Sequence, residues 1–201
     1  MNVAQAQSVV ILWVVSGCRI MLEFIRAEAL SYKAFHEKRY MTLDKNKPFP
    51  KRPRLPGFDY MGRRAYFITI STKDKNKFFC EHDIVNPLIE FLKETAEKEC
   101  FLVDVFCFMP DHLHLLVKGN SDQANLNNFV KYFKQKSGFW FKQKYHKNLW
   151  QLSFYDHIIR KQEALEDVVR YILHNPLRKG MVSDFKEYRF SGSFTMDIHK
   201  L

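Results

Sequence analysis

Residues 106–117 read Phe-Cys-Phe-Met-Pro-Asp-His-Leu-His-Leu-Leu-Val, and the rest of the chain is organised around them. Side chains alternate across a strand, so His112 and His114 point to one face while Leu113, Leu115 and Val117 point to the other. Their Cβ atoms stand roughly 7 Å apart, twice a strand rise of about 3.3 Å, which lets both imidazoles converge on one small ion or one phosphate oxygen. Pro110 and Asp111 come directly before them, and a proline, having no ladder donor, suits a turn or the first residue of a strand. A single histidine on such a strand is most often a satisfied polar residue. Two of them flanking one leucine, after Met-Pro-Asp, point instead to a functional pair.

Working outward, 201 residues suffice for one well-buried domain with some chain left over. With 46% apolar and 27% charged residues, the composition excludes a disordered or fibrous chain. The net charge of +10 favours a polyanionic partner, either nucleic acid or an anionic membrane surface. Cys18, Cys80, Cys100 and Cys107 show no CxxC spacing, which suits free thiols in a reducing, cytoplasmic setting.

Residues 1–46 are the least like the rest. The apolar run over 9–15 is too short to cross a bilayer and is soon followed by Arg19, Glu23 and Arg26. No basic residue precedes it, as a signal peptide requires. The segment is expected to be a non-essential helical appendage, or upstream translation with Met41 or Met61 as later starts. The main domain is expected over 47–195, with a tail over 196–201. Residues 45–54 form a proline-punctuated basic arm carrying Lys51, Arg52 and Arg54.

The spacing predicts a strand over 65–72 and a helix over 83–100 with Pro87 in its first turn. Strands follow over 101–109 and 111–117, as a hairpin turning at 109–111 or as one bent strand, stopped by Gly119 and Asn120. The first part of 123–147 is a helix with Leu126, Phe129, Val130 and Phe133 as its stripe, interrupted at Gly138; 149–160 reads as another strand. A last helix over 161–175, stopped by Pro176, carries Leu165, Val168, Val169, Ile172 and Leu173 on one stripe. At roughly 100° per residue, Tyr171 lies about 130° from the centre of that stripe, on the polar face.

Between Asp122 and Asp156 there is no acidic residue, while lysines that include Lys131, Lys134 and Lys136 alternate with aromatics such as Trp140. Ammonium groups take phosphates and aromatic faces take bases, so the segment reads as a nucleic-acid surface. The alternative is an amphipathic helix whose lysines are its solvated face.

Two neutral imidazoles with an oxygen donor suit a hard to borderline divalent cation that can polarise a phosphate oxygen. A tyrosine brought beside such a phosphate could attack it and store the phosphodiester bond as phosphotyrosine. Residues 109–116, Met-Pro-Asp-His-Leu-His-Leu-Leu, resemble the His-hydrophobic-His motif of HUH-type single-tyrosine transposases, the insertion-sequence-200-like family. Residues 171–177, Tyr-Ile-Leu-His-Asn-Pro-Leu, then Gly180-Met181-Val182, resemble more narrowly its REP-associated branch, as does Leu55-Pro56-Gly57 before Tyr66-Phe67-Ile68-Thr69.

The resemblance runs from about Arg52 to Ser193. It implies an α+β fold of ferredoxin-like type, an antiparallel sheet with helices packed on it. It also implies a divalent metal, Mg²⁺ or Mn²⁺, on His112 and His114, and Tyr171 as nucleophile on single-stranded DNA, leaving a 5'-phosphotyrosine and a free 3'-OH. Many members carry Gln one turn after the tyrosine as a third ligand; here Asn175 stands there, with water, Asp111 or His174 as alternatives.

The expected function is a DNA endonuclease and strand transferase in DNA transposition and recombination. The expected partner is hairpin-bearing or repeat single-stranded DNA, with no membrane and no small-molecule substrate, the protein being a monomer or homodimer. Lys51, Arg52, Arg54, Lys131, Lys134, Lys136, Trp140, Arg160 and Arg178 are the expected DNA contacts. Tyr132, Tyr145 and Tyr155 are rival nucleophiles. Two other readings remain at this stage: a nucleic-acid-binding module without chemistry, and a metal hydrolase in which His112, His114 and Asp111 activate water.

Overall fold

The period-two apolar runs become the centre of one antiparallel sheet in a computed structural model that describes residues 57–159 and 163–200. In chain order the elements are β1 (Ala65–Ser71), α1 (His82–Lys98), β2 (Phe101–Met109), β3 (His112–Gly119), α2 (Leu126–Tyr145), β4 (Tyr155–Ile159), α3 (Glu163–Leu173), α4 (Asn175–Arg178) and β5 (Ser191–Gly192). The sheet runs β4-β1-β3-β2-β5, every neighbouring pair antiparallel. Its first four strands and the two helices between them form the expected ferredoxin-like arrangement, to which α3, α4 and β5 are added.

Register assigns the faces. Thr69 pairs with His114 and Ser71 with His112, so these four side chains share one face. Ile68, Ile70, Leu113, Leu115 and Val117 line the other and are fully buried. A shift between Val103 and Val105 changes the parity of β2, keeping Phe101 and Val103 on the same side as Phe106 and Phe108. There Phe101 meets Phe129 of α2 at 4.9 Å between ring centres, and Phe79 joins Phe108 to Trp150 at 5.3 and 5.4 Å. Each fully buried leucine or isoleucine contributes about 1.5–3 kcal/mol, so this face carries the core. The face with the histidines receives α3, which rests on β2 and β3.

Local details depart from the sequence expectation. The Glu81 carbonyl accepts from Ile84 and Val85, so α1 opens at His82 and Pro87 falls in its second turn rather than its first. The helix forgoes one backbone bond there and keeps its buried stripe of Val85, Leu88 and Leu92. Gly138 does not interrupt α2, which begins at an Asn125 cap whose side chain accepts from the Asn128 amide. The helix is held through that point because Trp150 donates to Ser137 and packs beside Gly138. Among the described residues of that stretch, 149–159, only Tyr155–Ile159 is a strand; Trp150 forms a single bridge to Thr72 and the next residues cross to the sheet edge. Pro176 both ends α3 and opens α4, since its fixed φ and missing N–H suit a first helical turn.

The appendage, its boundary near residue 46, and Lys51, Arg52, Arg54 and Arg160 lie outside the described residues. Among the described residues no helix is long and apolar enough to cross a membrane.

Candidate active site

β3 places the two imidazoles on one face, where their ring centres stand 4.5 Å apart and His112 Nε2 faces His114 Nε2 at 3.0 Å. Their other nitrogens are held from behind. His114 Nδ1 lies 3.0 Å from Thr69 Oγ1, its cross-strand partner, and His112 Nδ1 lies 2.5 Å from Asp111 Oδ1. Asp111 is fixed in turn, because its carbonyl accepts both the amide and the hydroxyl of fully buried Thr72 at 3.0 and 2.9 Å.

Burial pushes His112 below the usual imidazole range, with Asp111 opposing and Lys75 and Lys179 assisting. Burial holds His114 well below that range, helped by His112, Arg178 and Lys75. Both rings are therefore neutral at pH 7. When Asp111 accepts Nδ1–H, His112 Nε2 is left with a lone pair, and the same tautomer at His114 turns a second lone pair to the same point. Such a pair repels unless a proton or a cation lies between, and Nδ1 support of this kind is what orients ligating histidines. The donor set fits a divalent cation. Among the described residues no group of three His, Cys, Asp or Glu side chains gathers there, so further ligands to such a cation would have to come from an amide, a hydroxyl, water or a substrate oxygen.

Tyr171 reaches this point from α3. Its ring stands edge-on to His114 at 5.9 Å and to Phe67 at 5.7 Å, while Phe67 stacks on His114 at 5.5 Å. The polar-face position read from the helix thus points along the sheet to the histidines. The Arg178 guanidinium covers the Tyr171 ring at 4.2 Å. Asn175 is buried and its amide bridges the same turn, donating to the Tyr171 carbonyl at 3.1 Å and accepting from Arg178 at 2.8 Å. His174 packs on Phe185 at 4.9 Å.

The rival tyrosines separate by position. Tyr132 and Tyr145 lie on α2, beyond the opposite face, Tyr132 beneath Lys98 and Tyr145 against Trp140 and Phe141. Tyr155 pairs with Thr69 and so stands in one row with His114. Its phenol is raised by burial, Asp156 and Tyr171.

The α2 residues expected on DNA are distributed unevenly. Lys131 is exposed. The Lys134 ammonium donates to the carbonyls of Gln151, Leu152 and Ser153 at 2.7, 2.9 and 3.4 Å. Lys136 pairs with Glu94 and lies over Phe91, on which Trp140 also packs. Closer to the histidines are Ser71, Lys75 and Lys179, which sequence reasoning passed over; only strand register, invisible in the sequence, puts Ser71 opposite His112.

A profile of the family described as Transposase IS200 like matches residues 62–175, a span that runs from just before β1 to Asn175. A REP-associated tyrosine transposase of Haemophilus influenzae is 30% identical over 151 residues, covering 70% of this chain and 85% of that protein. A REP-associated tyrosine transposase of Escherichia coli is 28% identical over 102 residues, covering 49% of this chain and 57% of the other. Among solved structures, a REP-associated tyrosine transposase bound to a REP hairpin superposes with a TM-score of 0.58 at 18% identity, covering 69% and 82% of the two chains, and shares the fold. With the profile spanning the first four strands and the tyrosine helix alike, the chain belongs to the IS200-like transposase family and is a tyrosine transposase, a DNA endonuclease and transesterase.

Proposed function

We propose that the protein nicks single-stranded DNA and transfers the strand through Tyr171, on substrates that carry a hairpin or repeat. The carrying observation is the approach of the Tyr171 ring to His114, whose Nε2 already faces that of His112. His112 and His114 would hold a divalent cation, Mg²⁺ or Mn²⁺, and the Asn175 side-chain oxygen, which here accepts from Arg178, would be a further ligand. When bound, that cation supplies Lewis-acid polarisation of the scissile phosphate.

The chain's own residues do the rest. A free phenol titrates near pH 10 and is a weak nucleophile at neutrality, so position is what it needs most. Tyr171 Oη forms a bond to phosphorus as the P–O3' bond breaks. The electron pair leaves on the 3'-oxygen, which takes a proton from solvent, and the phenol proton passes to solvent. The product is a 5'-phosphotyrosine and a free 3'-OH. A second 3'-OH then reverses the step on another strand, so the bond energy is kept and no nucleotide is consumed. Asp111 and Thr69 hold the imidazoles in one orientation. Arg178 keeps the tyrosine ring over the sheet. Lys131 and Arg178 are the foremost described candidates for backbone contacts. The hairpin is favoured because the structural neighbour is bound to one.

The test is incubation with labelled hairpin oligonucleotides in Mg²⁺, Mn²⁺ or EDTA, resolved on a denaturing gel. A metal-dependent protein–DNA band that disappears in Tyr171→Phe is expected. Cleavage without an adduct would transfer the chemistry to activated water, and a band that persists in Tyr171→Phe would move the nucleophile to Tyr155.

A further inference from the structure

The turn after β1 is bent in a way that its residues do not favour. Asp74 and Lys75 stand at φ 54° and 57°, the left-handed region that side chains with a Cβ avoid. The conformation is over-determined by its surroundings: Thr72 Oγ1 donates to the carbonyls of Asn76 and Asp111 at 2.8 and 2.9 Å, and Asn76 Nδ2 donates to the Lys73 carbonyl at 2.7 Å. Strain held in place like this concentrates at functional sites. Here it returns one side chain towards the sheet, for the Lys75 ammonium donates to Ser71 Oγ at 2.9 Å.

Ser71 is the register partner of His112 and shares its face with Thr69 and His114. Directly opposed residues of an antiparallel pair have Cβ atoms about 4.5–5.5 Å apart, so the ammonium is bonded to the side chain that stands beside His112. Its charge is felt at both rings, after burial, as part of what keeps them neutral. Lys73 has Asp74 and Lys136 has Glu94, whereas among the described residues no carboxylate pairs with Lys75. An ammonium has three donors, and Ser71 takes one.

We propose that Lys75 is a further catalytic residue of strand transfer, its ammonium donating to a non-bridging oxygen of the scissile phosphate beside His112. The proposal rests on the His112, His114 and Tyr171 reading of the site. As the phosphoryl group passes from one oxygen to the other, its charge spreads over the equatorial oxygens, and a cation already fixed there stabilises that distribution without reorganising. Ser71 is a positioning residue in this arrangement, steadying a side chain that otherwise samples many rotamers.

Single-turnover adduct formation by the full-length protein at saturating hairpin oligonucleotide in Mg²⁺ tests this, with Lys75→Met, Lys75→Arg and Ser71→Ala compared against the unaltered chain. Lys75→Met is expected to slow adduct formation about 100-fold with the thermal midpoint unchanged, Lys75→Arg to recover much of the rate, and Ser71→Ala to lose less. Sulfur in place of the contacted non-bridging oxygen should slow the unaltered protein and add little in Lys75→Met, a signature that a merely structural role cannot give. A Lys75→Met rate within about twofold of the unaltered protein, or a sulfur effect left intact in that variant, overturns the assignment. Should the unaltered protein form no adduct, or Tyr171→Phe still form one, the reading of the whole site fails; a Tyr171-dependent adduct that ignores Lys75 removes Lys75 alone.

Discussion

The Nδ1 atoms of the paired histidines are held by Asp111 and Thr69, and that support decides what the Nε2 atoms can do. A carboxylate accepting Nδ1–H makes the remaining nitrogen the better donor to a cation, and such supports are typically worth 10–100-fold in metal affinity. Asp111→Asn should therefore weaken Mn²⁺ binding by about that factor, measured calorimetrically in the Tyr171→Phe background; unchanged affinity would leave Asp111 with a purely structural part. The same burial that keeps the rings neutral sets a pH dependence. Both folded values lie below the unfolded one of about 6.5, so between them the unfolded chain binds more protons. The stabilising contribution is complete above pH 6.5 and is lost as pH falls below it towards the folded values. Urea midpoints at pH 7.5 and 5.5 should drop more for the unaltered protein than for His114→Gln. An equal or smaller drop would mean that the pair is not held neutral by burial.

Two glycines separate what a helix and a strand demand of the same residue. Gly119 ends β3 where a Cβ would lie 2.1 Å from the Gly62 carbonyl oxygen, and both are backbone positions that cannot yield cheaply. Gly119→Ala should cost roughly 1–3 kcal/mol, the usual scale of overpacking. Gly138 sits inside α2, where a Cβ would meet Trp150 at an ordinary 3.6 Å. Gly138→Ala should stabilise by about 0.5–1 kcal/mol through helix propensity and a less flexible unfolded chain, and chemical denaturation of the two variants should move in opposite directions. These positions also explain how far the elements could be read. Alternation fixed the strands around His112 and the helical stripe from Leu165 to Leu173, because both patterns arise from burial of a single face. Gly138 was misread as a break because propensity is local, whereas the Trp150 to Ser137 bond that holds the turn joins residues from different segments. The stretch before Tyr155 looked like strand for a similar reason: its carbonyls are satisfied by the Lys134 ammonium, not by a ladder.

Across the whole molecule, the meeting of Tyr171 with His114 was expected from family resemblance and from the tyrosine's off-stripe position, yet periodicity alone cannot bring separate segments together. The packing of α3 on β2 and β3 does so, while strand register reveals Ser71 and its hydrogen bond reveals Lys75, for which the sequence offers no signal. The net charge of +10 was legible at once, but its allocation was not. A lysine spent on carbonyls and a lysine facing solvent read alike in a sequence. Lys134 is bonded to the 151–153 loop, while Lys131 is exposed on the same helix. Each phosphate contact releases counterions, so losing one lowers the slope of log affinity against log salt by about 1. Lys131→Ala should flatten the salt dependence of hairpin binding by about that amount and leave the thermal midpoint in place. Lys134→Met should instead cost about 1–2 kcal/mol of stability, the scale of charge-assisted hydrogen bonds that are partly exposed, while the slope stays as it was. Binding titrations from low to physiological salt beside thermal melts distinguish the two. If Lys134→Met flattens the slope and spares the melt, its ammonium leaves the 151–153 loop for DNA, and the phosphate-contacting face of α2 extends from Lys131 to Lys134.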